Sequence, residues 1–199
     1  MINHMIRSEC NAANKLAHKN LLTPSNYVSD AVMTKTVAGK ITHTRVAYFV
    51  YEFVAECNLQ EFVGQHGGLD EWICKYYFKE LLKGLQFSHK NGIVHCNIHP
   101  ENVMIDANFD LKLSEFTNSC DNTLAKKSIG MGMPSPGYMA PEMYLGKYNT
   151  QDADMFACGV LLFFMRTGHQ PFEEATNRCS LYRKISRGDM DAFWSLHEK

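Results

Sequence analysis

The run Met155-Phe156-Ala157-Cys158-Gly159-Val160-Leu161-Leu162-Phe163-Phe164-Met165 most constrains how this chain can fold. Eleven apolar or small residues in a row, broken only by Gly159, are too short to cross a bilayer, which takes about 20 residues. They read instead as a helix buried on all sides, around which the rest must form a globular body. At 199 residues, 45% hydrophobic and 21% charged, the chain has enough material for that core within one domain by length. A net charge of −1 supplies no basic field for nucleic acid or anionic lipid.

Periodicity supplies further elements. Ile6, Cys10, Ala13 and Ala17 recur at helical spacing from Ile2 to about Ala17, ahead of the turn His18-Lys19-Asn20-Leu21. Two β-rich stretches, Tyr27–Thr36 and Thr42–Phe53, flank Val37-Ala38-Gly39-Lys40, a hairpin signal. Asp70 can cap a helix running to about His89, with Ile73, Tyr77, Leu81 and Leu85 facing a core beside Phe78 and Leu82; Asn91-Gly92 ends it. Met104 to Glu115 reads as two short strands around Ala107-Asn108, followed by an irregular segment from Thr117 to Pro136. Tyr182 to Trp194 reads as a last helix. Together these give an α+β chain, mostly helical after residue 54.

The chemistry-bearing residues lie between those elements. His95-Cys96-Asn97-Ile98-His99-Pro100-Glu101-Asn102 has the frame H-x-x-x-x-P-E-N. Leu111-Lys112-Leu113-Ser114-Glu115-Phe116-Thr117 follows, then Pro136-Gly137-Tyr138-Met139-Ala140-Pro141-Glu142, Asp154-Met155-Phe156-Ala157-Cys158-Gly159 and Thr167-Gly168-His169-Gln170-Pro171-Phe172. In this order and spacing they resemble the catalytic loop, the D-F-G turn, the A-P-E segment, the D-x-W-S-x-G helix start and the T-G-x-x-P-F turn of the eukaryotic protein kinases, with a Ser/Thr, calcium/calmodulin-dependent-like flavour in the last two.

The resemblance implies a protein-kinase-like fold in two parts. Residues 1–53 would form a partial small lobe of one helix and a hairpin, and residues 54–199 a large lobe lacking its final helices. No glycine-rich loop or V-A-I-K strand precedes the first helix. Glu9 falls at the family's ion-pairing glutamate, left without its lysine, and Glu142 without its arginine. Tyr51 stands at the gatekeeper position before a hinge Tyr51-Glu52-Phe53-Val54. Nucleotide contacts are implied at Glu52, Val54 and Met104, and magnesium ligands at Asn102 and Glu115. His95, Phe116 and Ala13 match an internal stack, and Asp154 a tie between the buried helix and the loop.

Departures from the family pattern carry the functional reading. Asn97 stands where the family places its catalytic aspartate, and a carboxamide offers no base near neutral pH. Glu115 replaces the metal-binding aspartate, His99 the loop lysine and Cys96 the phosphate-receiving arginine. ATP and Mg²⁺ would be the cofactors, if any. The expectation is a catalytically impaired, pseudokinase-like module that engages protein partners or substrates through its activation segment and large lobe. The alternatives are a Ser/Thr kinase of weak or conditional activity, and a truncated kinase product without settled function. His95, Cys96 and His99 show no familiar zinc spacing. Seven scattered cysteines without a C-x-x-C pair, and no signal-peptide pattern at the start, point to reduced thiols and a cytoplasmic protein free of nucleic acid and membrane.

Overall fold

The computed structural model describes residues 2–54, 57–121, 135–146 and 148–197. Its body is built on two helices, α3 (Glu71–Lys90) and α4 (Thr150–Thr167). Helix α3 turns Cys74, Tyr77, Leu81 and Leu85 inward, and Ile73, Phe78 and Leu82 pack at the margin of the same core. Asp70 occupies its N-cap position without a side-chain cap bond, and Gly92 (φ +77°) carries the chain out of it. Helix α4 starts on the Asn149 side chain, which accepts from the Gln151 amide, and stops at Gly168 in the left-handed region.

Helix α4 is not buried on all sides. Cys158, Leu161 and Met165 are sealed, but Met155 is 48% exposed and Gly159 faces outward. One helical face therefore reaches the surface despite its apolar composition. The predicted last helix is also divided, into α5 (Ser180–Ser186) and α6 (Met190–Trp194). The break falls at Gly188, whose φ of +75° a helix cannot continue through.

Between the main helices lie short β pieces. β3 (Cys57–Asn58), β5 (Val103–Ile105) and β6 (Leu111–Leu113) form one antiparallel sheet, while β4 (Ile93–Val94) pairs with β7 (Cys120–Asp121). Helix α2 (Leu59–His66), too short to show a clear apolar stripe, begins with a capping box between Asn58 and Glu61. Within the expected irregular segment 117–136, Phe116–Asn118 is a 3₁₀ turn and β7 follows; residues 122–134 lie outside the described residues.

Helix α1 (Ile2–Lys15) rests on the segment carrying Phe116, where Ser8 Oγ donates to the Ser119 carbonyl. Its buried face is Ser8, Glu9 and Ala12, continued by Leu16 just past its end, rather than the apolar stripe read from the sequence. Ala13 is half-buried and Ala17 lies exposed beyond the helix end. Two polar residues on the inward face shifted the apparent phase. After α1 the chain runs beside β6, with Leu22 N–H donating to the Leu113 carbonyl and Leu113 N–H to that of Asn20. Helix α3 approaches this crossing closely: a Cβ on Gly84 would meet the Asn20 carbonyl at 2.8 Å.

β1 (Asn26–Val37) and β2 (Lys40–Val50) form the predicted hairpin. Ala38 (φ +49°) and Gly39 (φ +77°) make a two-residue turn with both central residues in the left-handed region, the geometry that matches strand twist. Val32 and Met33 point to opposite faces, and both are more than half exposed. The hairpin projects from the body more than it packs on it. None of the described helices is long and apolar enough to cross a membrane.

Candidate active-site cleft

The segment His95–Asn102 is held by a network that starts on α4. Asp154, 2% exposed, accepts the His95 amide on Oδ2 at 3.0 Å and the Cys96 amide on Oδ1 at 2.8 Å. The His89 ring, on α3, meets the same Oδ2 at 2.9 Å. A buried carboxylate held by three partners clamps the loop to both main helices.

His95 takes the next link. Its Nε2 lies 2.8 Å from the Ser114 carbonyl and its Nδ1 3.2 Å from the Asn97 amide. A carbonyl can only accept and an amide N–H only donate, so this network assigns the neutral tautomer with the proton on Nε2. Burial pushes the imidazole below its ordinary range, in keeping with that form. The ring meets Phe116 edge-on, with centroids 4.8 Å apart. Cys96, next along, is held at φ +62°, a region that side chains other than glycine seldom occupy.

Asn97 and Asn102 are tied together: Asn102 Nδ2 donates to the Asn97 carbonyl at 3.0 Å. The Asn102 carbonyl in turn accepts the Ser114 amide at 2.8 Å and its hydroxyl at 3.0 Å. Ser114 thereby fixes the strand end from which Glu115 projects. Glu115 is exposed and itself left-handed (φ +65°), with the Thr117 hydroxyl 3.5 Å from its carboxylate. His99 is largely buried and 3.8 Å from the Glu101 carboxylate; burial lowers its pKa despite that neighbour. It stays neutral near pH 7 and adds no cation to the cleft.

Glu9 does have a partner, contrary to the sequence expectation. The Tyr51 hydroxyl donates to Glu9 Oε1 at 2.8 Å, while Oε2 has none among the described residues. Glu9 is 0% exposed. Burial pushes its carboxyl up to about 7, the Tyr51 hydroxyl and Phe116 amide pull it part of the way back, and the Glu115 charge adds to the rise. Burial and the Glu9 carboxylate likewise push the Tyr51 phenol far above its usual value. No local pattern announces this pairing, because the two residues are 42 positions apart. Glu142 is half-buried and forms no ion pair among the described residues.

The residues expected at the nucleotide are placed less coherently. The Glu52 carboxylate is engaged by Lys112 at 2.8 Å, and the same ammonium reaches the Lys19 carbonyl at 3.1 Å. Met104 sits in β5, paired with Asn58 on one side and Lys112 on the other. Val54 is half-buried at the end of the described hinge. Glu80, which no sequence motif marks, is nearly buried between the Leu111 amide (3.0 Å) and Lys19 (2.8 Å). Burial alone would raise its pKa, but the Leu111 amide, Lys19 and the Asn20 side chain together outweigh it and hold the carboxyl low.

The oxygens of Asn102 and Glu115 are hard donors of the kind magnesium takes, so the metal fits these side chains. No cluster of three or more potential ligands among His, Cys, Asp and Glu occurs among the described residues. A triphosphate fits less well. Glu9 and Glu115 are acidic, His99 is neutral, and the Lys112 ammonium is held by Glu52.

The loop His95–Asn102, its paired asparagines and the end of β6 that leads to Glu115 thus form one hydrogen-bonded group. A protein kinase domain model matches residues 1–196, and the chain belongs to the protein kinase family. It is similar to CBL-interacting protein kinase 15 of Oryza sativa subsp. japonica, 32% identical over 193 residues, covering 94% of this chain and 41% of that protein. CBL-interacting protein kinase 24 of the same species is 30% identical over 196 residues, covering 96% and 40%. The SNF1-related protein kinase catalytic subunit alpha KIN12 of Arabidopsis thaliana is 34% identical over 144 residues, covering 71% and 28%. The chain thus spans about two fifths of the length of the first of these relatives.

Proposed function

We propose that this chain is a catalytically impaired protein-kinase domain that works as a protein-binding or regulatory module. One observation carries the reading: the loop frame is complete while its reactive position holds a carboxamide. Asp154, His95, Asn102 and Ser114 hold the backbone around Asn97, so a misplaced loop does not explain the loss. Without a base, the attacking hydroxyl keeps its proton, a loss of about 10²- to 10⁴-fold in rate. Neutral His99 and the longer Glu115 weaken charge neutralisation further, and such losses act as a unit rather than adding. Residues 1–53 would serve as the small lobe and residues 54–199 as the large one, in a cytoplasmic protein. Relatives named for interacting with CBL support a protein partner in general, not a particular one.

A second reading, a Ser/Thr kinase of weak or conditional activity, draws on one feature. Asn102 and Glu115, joined through Ser114, keep two oxygen donors for magnesium. Glu52, Val54 and Met104 would then line the nucleotide. Thermal-shift titration with ATP, with and without Mg²⁺ or Mn²⁺, separates the readings. Ligand at 100-fold over its Kd stabilises a binder by about 2.7 kcal/mol. An impaired module shows no metal-dependent shift at millimolar ATP; a clear shift lost in Asn102→Ala favours the kinase.

A further inference from the structure

Cys96 and Cys120 bring two sulfurs within 3.4 Å of each other across β4 and β7. The contact follows from the fold. Val94 and Cys120 are direct partners in the antiparallel pair, and Cys96 lies two residues beyond Val94. The left-handed backbone at Cys96, fixed by the bond from its amide to Asp154, accompanies a side chain turned toward β7. Cys96 Sγ also lies 3.7 Å from the Val94 carbonyl, which can only accept. With the Cys96 thiol donating there, the Cys120 thiol is the donor and the Cys96 sulfur the acceptor in their contact. A thiolate formed at Cys96 would therefore keep a hydrogen-bond donor already in place.

We propose that Cys96 and Cys120 are an oxidation site that closes to a disulfide on exposure to a hydroperoxide. A disulfide needs about 2.05 Å between sulfurs, so closing the bond brings the two sulfurs about 1.4 Å nearer. Both residues are half-buried rather than sealed, unlike Cys74 and Cys158. In the first step a Cys96 thiolate attacks the peroxide: an S–O bond forms, the O–O bond breaks, and the leaving oxygen takes up a proton as water or alcohol. In the second, Cys120 sulfur attacks Cys96 sulfur: the S–S bond forms, the S–O bond breaks and water leaves with the remaining proton. Two thiols give up two electrons and the hydroperoxide accepts both. The product ties the residue preceding Asn97 to β7, independently of whether the chain transfers phosphate.

The test is non-reducing peptide mapping of the purified chain after hydrogen peroxide and thiol alkylation. The expected product is the Cys96 peptide joined to the Cys120 peptide, about 2 Da lighter than the sum of the two reduced peptides, and released by dithiothreitol. In Cys120→Ser, Cys96 should accumulate as a sulfenic acid trapped by dimedone, with no crosslink. If that variant does not fold, the wild-type map decides alone. Alkylation of both residues after oxidant, links that join other cysteines instead, or over-oxidised Cys96 without a crosslink would each overturn the proposal.

Discussion

The body around α3 and α4 and the outlying hairpin solve the problem of polar groups in opposite ways. In the body, buried charges are well matched: Asp154 has three partners, and Glu80 has an amide and an ammonium. The hairpin needs few such matches, because both its faces lie near solvent and its backbone is satisfied by its own ladder. Strain gathers where the two regions meet. There Glu9 is buried with one oxygen bonded to Tyr51 and the other without a partner. Stability should accordingly be concentrated in the clamped body, negative at the junction in neutral solution, and small at the hairpin.

The largest effect is expected at Asp154. Asp154→Ala strands the His95 and Cys96 amides in the interior, and urea denaturation should show a loss of about 3–5 kcal/mol. Next comes Glu9. A carboxyl whose folded pKa is raised from 4.5 to about 7 holds its proton more tightly folded than unfolded. Stability therefore falls as pH rises from 4.5 to about 7, by on the order of 3 kcal/mol, and stays lowered above that. Glu9→Gln keeps an acceptor for Tyr51 and should flatten that window in melts across pH 4–8. An unchanged slope would mean the carboxyl is not the source.

Effects at the hairpin should be smaller. Gly39→Ala meets nothing within 4 Å but must adopt φ +77°, so a cost of about 1 kcal/mol from backbone strain alone is expected. Val32→Thr, at a position 64% exposed, should move stability by no more than about 0.5 kcal/mol in either direction. A hairpin substitution as costly as Asp154→Ala would erase the contrast between the two regions.

What could be read from the residues follows the same division. The hairpin, helix α3 and the loop motifs were legible because their signals are local: an Ala-Gly turn, a repeating apolar stripe, fixed spacings. Helix α2 carries a local signal too, the capping pair of Asn58 and Glu61, but its apolar face is too short to make a stripe. The buried face of α1 is hidden from an apolar count because Ser8 and Glu9 point inward. The tail was read as one helix because a single glycine interrupts it. Tyr51 opposite Glu9, His89 beside Asp154 and Cys120 against Cys96 bring distant segments together, and nothing local marks such meetings.

Phosphate incorporation from radiolabelled ATP into a generic Ser/Thr protein substrate, with Mg²⁺ or Mn²⁺, tests most directly whether a well-built loop lacking a proton acceptor is inert. The wild-type chain should incorporate no more label than Asn102→Ala. Turnover at an ordinary kinase rate, abolished by Asn102→Ala, would contradict the impaired-domain reading.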